Sequence, residues 1–277
     1  MNGTQPQTST TQYLDVPEGR IAYDVSGPED GHLVVMAPGM GDVRAVYRFV
    51  VPQLVAAGYR VATLDVRGHG ESSVGWAAHS TSAIGSDYVA LIRHLGGDSV
   101  TVVGNSLTPD SAVTAAAELP DTVTGVVAIS PWAAEPKPNA VMGFLANRIM
   151  RSPSLFGLFY SSLYKGGKPE DFKEYVATVK SRLREPGRTE ALIAVNAPGT
   201  KVDSAADRPK VQQPTLVLMG SKDPDFKDPR AEAEKFASTI SGPTEIVMLE
   251  GAGHYPQAEV PDAVASRLLV FLEKTAR

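Results

Sequence analysis

The stretch "VVGNSLTPDSA", Val102 to Ala112, decides how the chain is read. An apolar run ends at Gly104, a serine follows two residues later, and a helical pattern begins at once with Pro109 near its start. Strand passes to helix with no intervening loop. So sharp a turn holds its central residue, Ser106, in a strained backbone conformation and pushes the side chain out at the carboxyl end of the strand. Ligands bind at that edge in open α/β sheets. The pattern is G-x-S-x-G with Thr108 in place of the second glycine. The branched Cβ of Thr108 is expected to crowd the turn slightly, with its hydroxyl free to satisfy a nearby backbone group. The bland alternative is a serine that merely caps a helix. Pro109 is tolerated because first-turn N–H groups have no intrahelical partner, and Asp110 suits the positive helix end.

Outward from this junction the chain alternates. Strands are predicted at Gln12–Val16, Arg20–Gly27, His32–Gly39, Tyr59–Gly68, Ser99–Gly104 and Val123–Ser130, with helices near 44–57, 82–95 and 107–119. Continuous apolar runs such as "HLVVMAPG" suit strands buried on both faces. The rhythm predicts an α/β fold, a mostly parallel central sheet flanked by helices, with an antiparallel pair on one edge. It breaks after Pro131, where "VMGFLANRIM", "SLFGLFYSSLY" and "EDFKEYVATVKSRLREP" read as helices without a strand. It resumes with strands at Pro214–Gly220 and Thr244–Gly251 and helices near 230–239 and 261–274. An ordinary crossover needs only about 10–12 residues. Residues 132–213 are therefore read as a helical cap or lid inserted into a core domain of 13–131 and 214–277. The polar start, 1–12, is read as a disordered tail.

Composition removes whole classes. A formal net charge of −5 argues against a nucleic-acid binder, which needs clustered Lys and Arg. The absence of cysteine excludes disulfides, thiolate metal sites and a cysteine nucleophile. "MNGTQPQTSTTQ" has neither the basic start nor the apolar core of a signal peptide. No run of about 18 apolar residues suggests a transmembrane helix. A cytoplasmic protein without a membrane span is the expectation. "GMGD" lacks the rest of a nucleotide-binding fingerprint.

Three further stretches bear on Ser106. In "MGSKDPDF" a strand ends at Gly220 and acids follow, Asp223 first, then Asp225 and Asp228. "LEGAGHYPQAE" places His254 just after the last strand. The order Ser106, Asp223, His254 is the order of a Ser-Asp-His triad on this fold. Serine needs an imidazole to take its proton and an anion to orient that imidazole. Asp225 stays open as the acid, and Glu135 is a distant alternative. In "APGMGD" the turn after an early strand offers free backbone N–H groups. Those of Met40 and Leu107 are candidates for an oxyanion hole. Trp132 follows a strand's carboxyl end and is read as pocket wall or ordinary core. Asp223 would raise the His254 pKa and burial would lower it, so an apparent value of roughly 6–7.5 is expected.

These motifs resemble the α/β-hydrolase superfamily. "DVRGHGESS", Asp65 to Ser73, looks like the family's D-x-R-G-x-G-x-S segment, and the acid and histidine stretches resemble those of its lid-bearing branch of esterases, carbon–carbon bond hydrolases, perhydrolases and epoxide hydrolases. The resemblance spans roughly Tyr13 to Leu272. One departure is Pro38–Gly39 where the family usually has His-Gly. The resemblance implies a serine hydrolase that needs no cofactor or metal and cleaves carboxylic esters of small apolar acids or alcohols. Serine at 106 argues against the aspartate chemistry of epoxide hydrolases and dehalogenases. Carbon–carbon bond hydrolysis or perhydrolysis on the same triad is an alternative, as is a non-catalytic ligand-binding protein on this fold.

Overall fold

The computed structural model describes residues 10–135 and 140–276. Its centre is an eight-stranded sheet in the order β1-β2-β4-β3-β5-β6-β7-β8. The strands are β1 (Gln12–Val16), β2 (Gly19–Ser26), β3 (Leu33–Ala37), β4 (Arg60–Leu64), β5 (Val100–Asn105), β6 (Val123–Ile129), β7 (Thr215–Gly220) and β8 (Thr244–Leu249). The pairs β1–β2 and β2–β4 are antiparallel. All other neighbours run parallel, from β3–β4 and β3–β5 across to β7–β8. Every residue of β3, β5 and β7 is buried, which is why these strands read as unbroken apolar runs.

Helices cover both faces: α1 (Val51–Ala56), α2 (Thr81–Leu95), α3 (Pro109–Glu118), α8 (Pro229–Ala237), α9 (Pro256–Glu259) and α10 (Pro261–Thr275). Between β6 and β7 lie four more, α4 (Ala140–Met150), α5 (Pro153–Ser162), α6 (Phe172–Leu183) and α7 (Arg188–Val195), then a 3-10 segment, Asp203–Lys210. This is the stretch read as a cap, of which 136–139 lie outside the described residues.

Two expectations need correction. The tail expected over 1–12 does not reach residue 12, because Gln12 pairs with Tyr23 in the edge ladder; residues 1–9 lie outside the described residues. The helix expected over 44–57 is broken into a 3-10 turn at Arg44–Tyr47 and the short α1. Pro52 has no N–H, and its ring clashes with a carbonyl one turn earlier, so it stands only in a helix's first turn.

Candidate active site

The carboxyl edge of the sheet brings four strand ends together. Ser106 follows β5, Met40 follows β3, Asp223 follows β7 and His254 follows β8. Ser106 has φ +57°, in the left-handed region that side chains rarely adopt. Its N–H donates to Ile129 O at 2.8 Å, which ties the strained residue to β6.

Thr108 is the reason the turn closes without a second glycine. Its φ is −92°, an ordinary value that needs no glycine. Its fully buried hydroxyl accepts the Asn105 N–H at 2.9 Å and faces the carbonyl oxygens of Ala37, Pro38 and Asn105 at 3.0, 3.2 and 3.2 Å. The threonine thus ties the serine turn to the end of β3 instead of merely crowding it. Close approach is met by Gly104, where an added Cβ would stand 2.3 Å from the Thr108 carbonyl carbon.

His254 Nδ1 lies 2.7 Å from Asp223 Oδ2, and both side chains are buried. Asp223 Oδ1 accepts the Asp225 N–H at 3.0 Å. The Asp225 carboxylate approaches the ring from its other side, with Oδ2 3.5 Å from Nε2. Of the alternative acids, Asp228 caps α8 through the Ala231 N–H, and Glu135 accepts the Gly199 N–H. Neither contacts the imidazole.

Burial opposes the imidazolium, but the charges of Asp223 and Asp225 outweigh it and hold the His254 pKa up at about 9. That exceeds the 6–7.5 expected from one carboxylate against burial, because a second carboxylate faces the ring. Burial also pushes the Asp225 carboxyl up from its ordinary value, against the pull of His254.

Ser106, His254, Met40, Leu107, Trp132, Phe159, Leu163, Lys201, Asp225 and Tyr255 line one cavity of about 40 Å³. Among the described residues neither the Met40 nor the Leu107 N–H has a protein acceptor, so both donors are available at the cavity wall. Gly39 permits the approach, since a Cβ there would come within 3.0 Å of Ser106 Cβ.

Two acids that the sequence reading passed over hold these loops. Asp42, fully buried, accepts from Tyr160 Oη at 2.9 Å, Tyr175 Oη at 2.5 Å and the Val43 N–H at 2.8 Å. It joins the Met40 turn to α5 and α6. Burial raises its pKa to about 6 against the pull of these donors. Glu259 accepts the N–H groups of Gly253 and Tyr255 beside His254 and those of Lys165 and Gly166 after α5. Both acids stood inside quoted motifs, but the partners that tie them to the β6–β7 segment, Tyr160 and Tyr175 for Asp42 and Lys165 and Gly166 for Glu259, are far away in sequence.

Among the described residues one group has the spacing of a metal site, Asp223, Asp225 and His254, whose ligand atoms lie within 4.8 Å of one another. Asp223 engages Nδ1 of the ring and Asp225 faces Nε2.

Fold, strand-end serine and histidine–carboxylate pair together define a family. The chain belongs to the alpha/beta hydrolase family, whose model matches residues 34–267. It is 27% identical over 276 residues to a 2-(acetamidomethylene)succinate hydrolase of Mesorhizobium japonicum, covering 92% of this chain and 93% of that protein. Epoxide hydrolase A of Mycobacterium tuberculosis is 24% identical over 95% of this chain and 97% of its own. Among solved structures, a bromoperoxidase from Bacillus anthracis superposes with TM-score 0.81 at 21% identity, over 96% of this chain and all of that one (100%). A carboxylesterase from Bacillus subtilis gives TM-score 0.79 at 19% identity, over 96% and 92% of the two chains. These two likenesses establish the fold. No helix among the described residues is long and apolar enough to cross a membrane.

Proposed function

We propose that this hydrolase-family protein is a serine hydrolase of carboxylic esters, with Ser106 as nucleophile, His254 as general base and Asp223 as the acid that orients it. One observation carries the reading: a serine at φ +57° shares a cavity with a histidine whose far nitrogen is 2.7 Å from a buried carboxylate. A serine held in strain at a strand end has no structural need to face that cavity.

In the proposed reaction Ser106 Oγ attacks the ester carbonyl as its proton passes to His254 Nε2. Asp223, on Nδ1, keeps the lone pair of Nε2 aimed at the serine and stabilises the imidazolium. The N–H groups of Met40 and Leu107 receive the oxyanion. The imidazolium then protonates the leaving alcohol, and water, activated by the same ring, frees the acyl group. Phe159 and Leu163 line the cavity, whose volume of about 40 Å³ is small beside the ~300–1,000 Å³ of a usual ligand pocket. The helices between β6 and β7 therefore act as a lid that shifts to admit substrate. The apolar wall from Met40, Leu107, Trp132 and Phe159 suits a short acyl chain or small ring.

The test is covalent labelling with a fluorophosphonate, followed by mapping of the modified residue. Modification at Ser106, lost in Ser106→Ala together with turnover of aryl esters, supports the reading. Undiminished turnover in the folded Ser106→Ala protein would remove it, and a wild type without labelling or turnover would favour a ligand-binding role.

A further inference from the structure

The proposed mechanism leaves one charged wall residue unused. Lys201 lines the same cavity as Ser106 and His254. Its Nζ lies 5.8 Å from the centroid of the Trp132 ring. Among the described residues no carboxylate lies within the 4.0 Å of an ion pair with it, which sets it apart from the buried arginines Arg44, Arg67 and Arg208, each of which is paired. Burial pulls its pKa down, while Asp225 and Glu135 attract its charge from farther off.

The backbone around Lys201 is pinned. Gly199 N–H donates to the Glu135 carboxylate at 2.9 Å, and Thr81 N–H donates to Thr200 O at 2.9 Å. Asp203 accepts from the Thr81 hydroxyl at 2.5 Å and the Ser82 N–H at 3.0 Å. A long, flexible ammonium is normally turned out to water. Here a fixed loop directs it inward, beside the Trp132 ring and without an ion-pair partner among the described residues, onto the wall of a cavity that contains the candidate nucleophile. Placing a cation there is costly unless something negative arrives.

We infer that Lys201 receives an anionic group of the substrate, so that the substrates are esters of short acids carrying a second carboxylate. The inference rests on the serine-hydrolase reading and narrows its substrate class. The scissile carbonyl sits at Ser106 between the Met40 and Leu107 N–H groups, and the free carboxylate lies toward Lys201 and Trp132. Asp225 lines the same cavity with its carboxylate turned to His254 Nε2. It repels an anion and so confines it to the Lys201 side. A charge-assisted contact of this kind, made in both the bound and the reacting state, acts mainly on KM.

Two aryl esters of equal chain length test it, para-nitrophenyl butyrate and the para-nitrophenyl monoester of succinate, which differ in a terminal carboxylate. The wild type is expected to favour the succinate monoester. Lys201→Met should lower the ratio of kcat/KM for the anionic over the neutral ester by about 10- to 100-fold, mostly through KM. Lys201→Arg should restore part of that ratio, and Asp225→Asn should raise it. Equal losses on both esters in Lys201→Met would mean that Lys201 only supports Asp225 or the loop, and would overturn the inference. A wild type that prefers butyrate would overturn it as well. Failure of the underlying reading is distinct: neither ester turns over and Ser106 takes no fluorophosphonate. In that case weaker binding of succinate to Lys201→Met than to wild type, measured by calorimetry, still supports the anion site, and equal or absent binding refutes it.

Discussion

Replacing Asp225 by asparagine should move the pH profile toward acid and make the enzyme faster at neutral pH. In the proposed mechanism His254 must be neutral to accept the proton of Ser106. With its pKa at about 9, roughly one ring in a hundred is neutral at pH 7. Asp225 Oδ2 stands 3.5 Å from Nε2, and its side chain keeps 19% of its exposure, so water screens the pair in part. Unit charges at about 4 Å interact by ~1 kcal/mol in water and ~4 kcal/mol under intermediate screening. One pKa unit corresponds to ~1.4 kcal/mol. A partly wet pair belongs in the lower half of that range, which gives a downward shift of about one to two units on loss of the charge. The assay is kcat/KM from pH 5 to 10 on an activated aryl ester, with acylation limiting. The rising limb should have its midpoint near 9 in the wild type and about one to two units lower in Asp225→Asn, with about 10- to 50-fold more activity at pH 7. An unchanged midpoint would show that Asp225 does not charge the ring, and a midpoint moved upward would refute the electrostatic argument outright.

Further outcomes follow from the same geometry. Asp223→Asn should cost about 10⁴-fold in kcat, since an amide on Nδ1 neither fixes the tautomer nor stabilises the imidazolium; a loss below tenfold on the aryl ester would refute Asp223 as the orienting acid. Thr108→Val keeps the shape but leaves Asn105 N–H without its acceptor, at an expected ~1–3 kcal/mol in urea unfolding, while Thr108→Ser should recover most of it. Asp42 binds its proton more tightly in the folded protein, about 6 against an ordinary 3.8, so stability should fall by about 3 kcal/mol as pH rises from near 4 through 6. Asp42→Asn should flatten that segment of the stability–pH curve; a wild-type curve already flat there would contradict a buried, ionised Asp42.

Much was legible because it is written in neighbouring residues. A buried strand is a run of consecutive apolar side chains, so β3, β5 and β7 could be read directly, and the serine turn is spelled within five residues from Gly104 to Thr108. The candidate roles of Asp223 and His254 came from their places just after strand ends, which only chain order and strand endings were needed to see. The failed helix over 44–57 shows the limit of local reading, since the apolar pattern ran on across a proline that cannot stand inside a helix.

Tertiary structure decided what depends on contacts between distant segments. Nothing in "APGMGD" shows that Asp42 will bind tyrosines 118 and 133 residues away and so couple the Met40 turn to α5 and α6. No pattern separates Lys201 from the other surface lysines until the fold turns it into the cavity. Asp225 looked like a spare candidate for one role, and the fold instead sets it against the opposite nitrogen of the same ring. Backbone propensity and hydrophobic period are properties of a short window and survive in a one-dimensional string. Electrostatic coupling and burial fall off over a few ångströms in space, and only the folded chain determines which residues share that space.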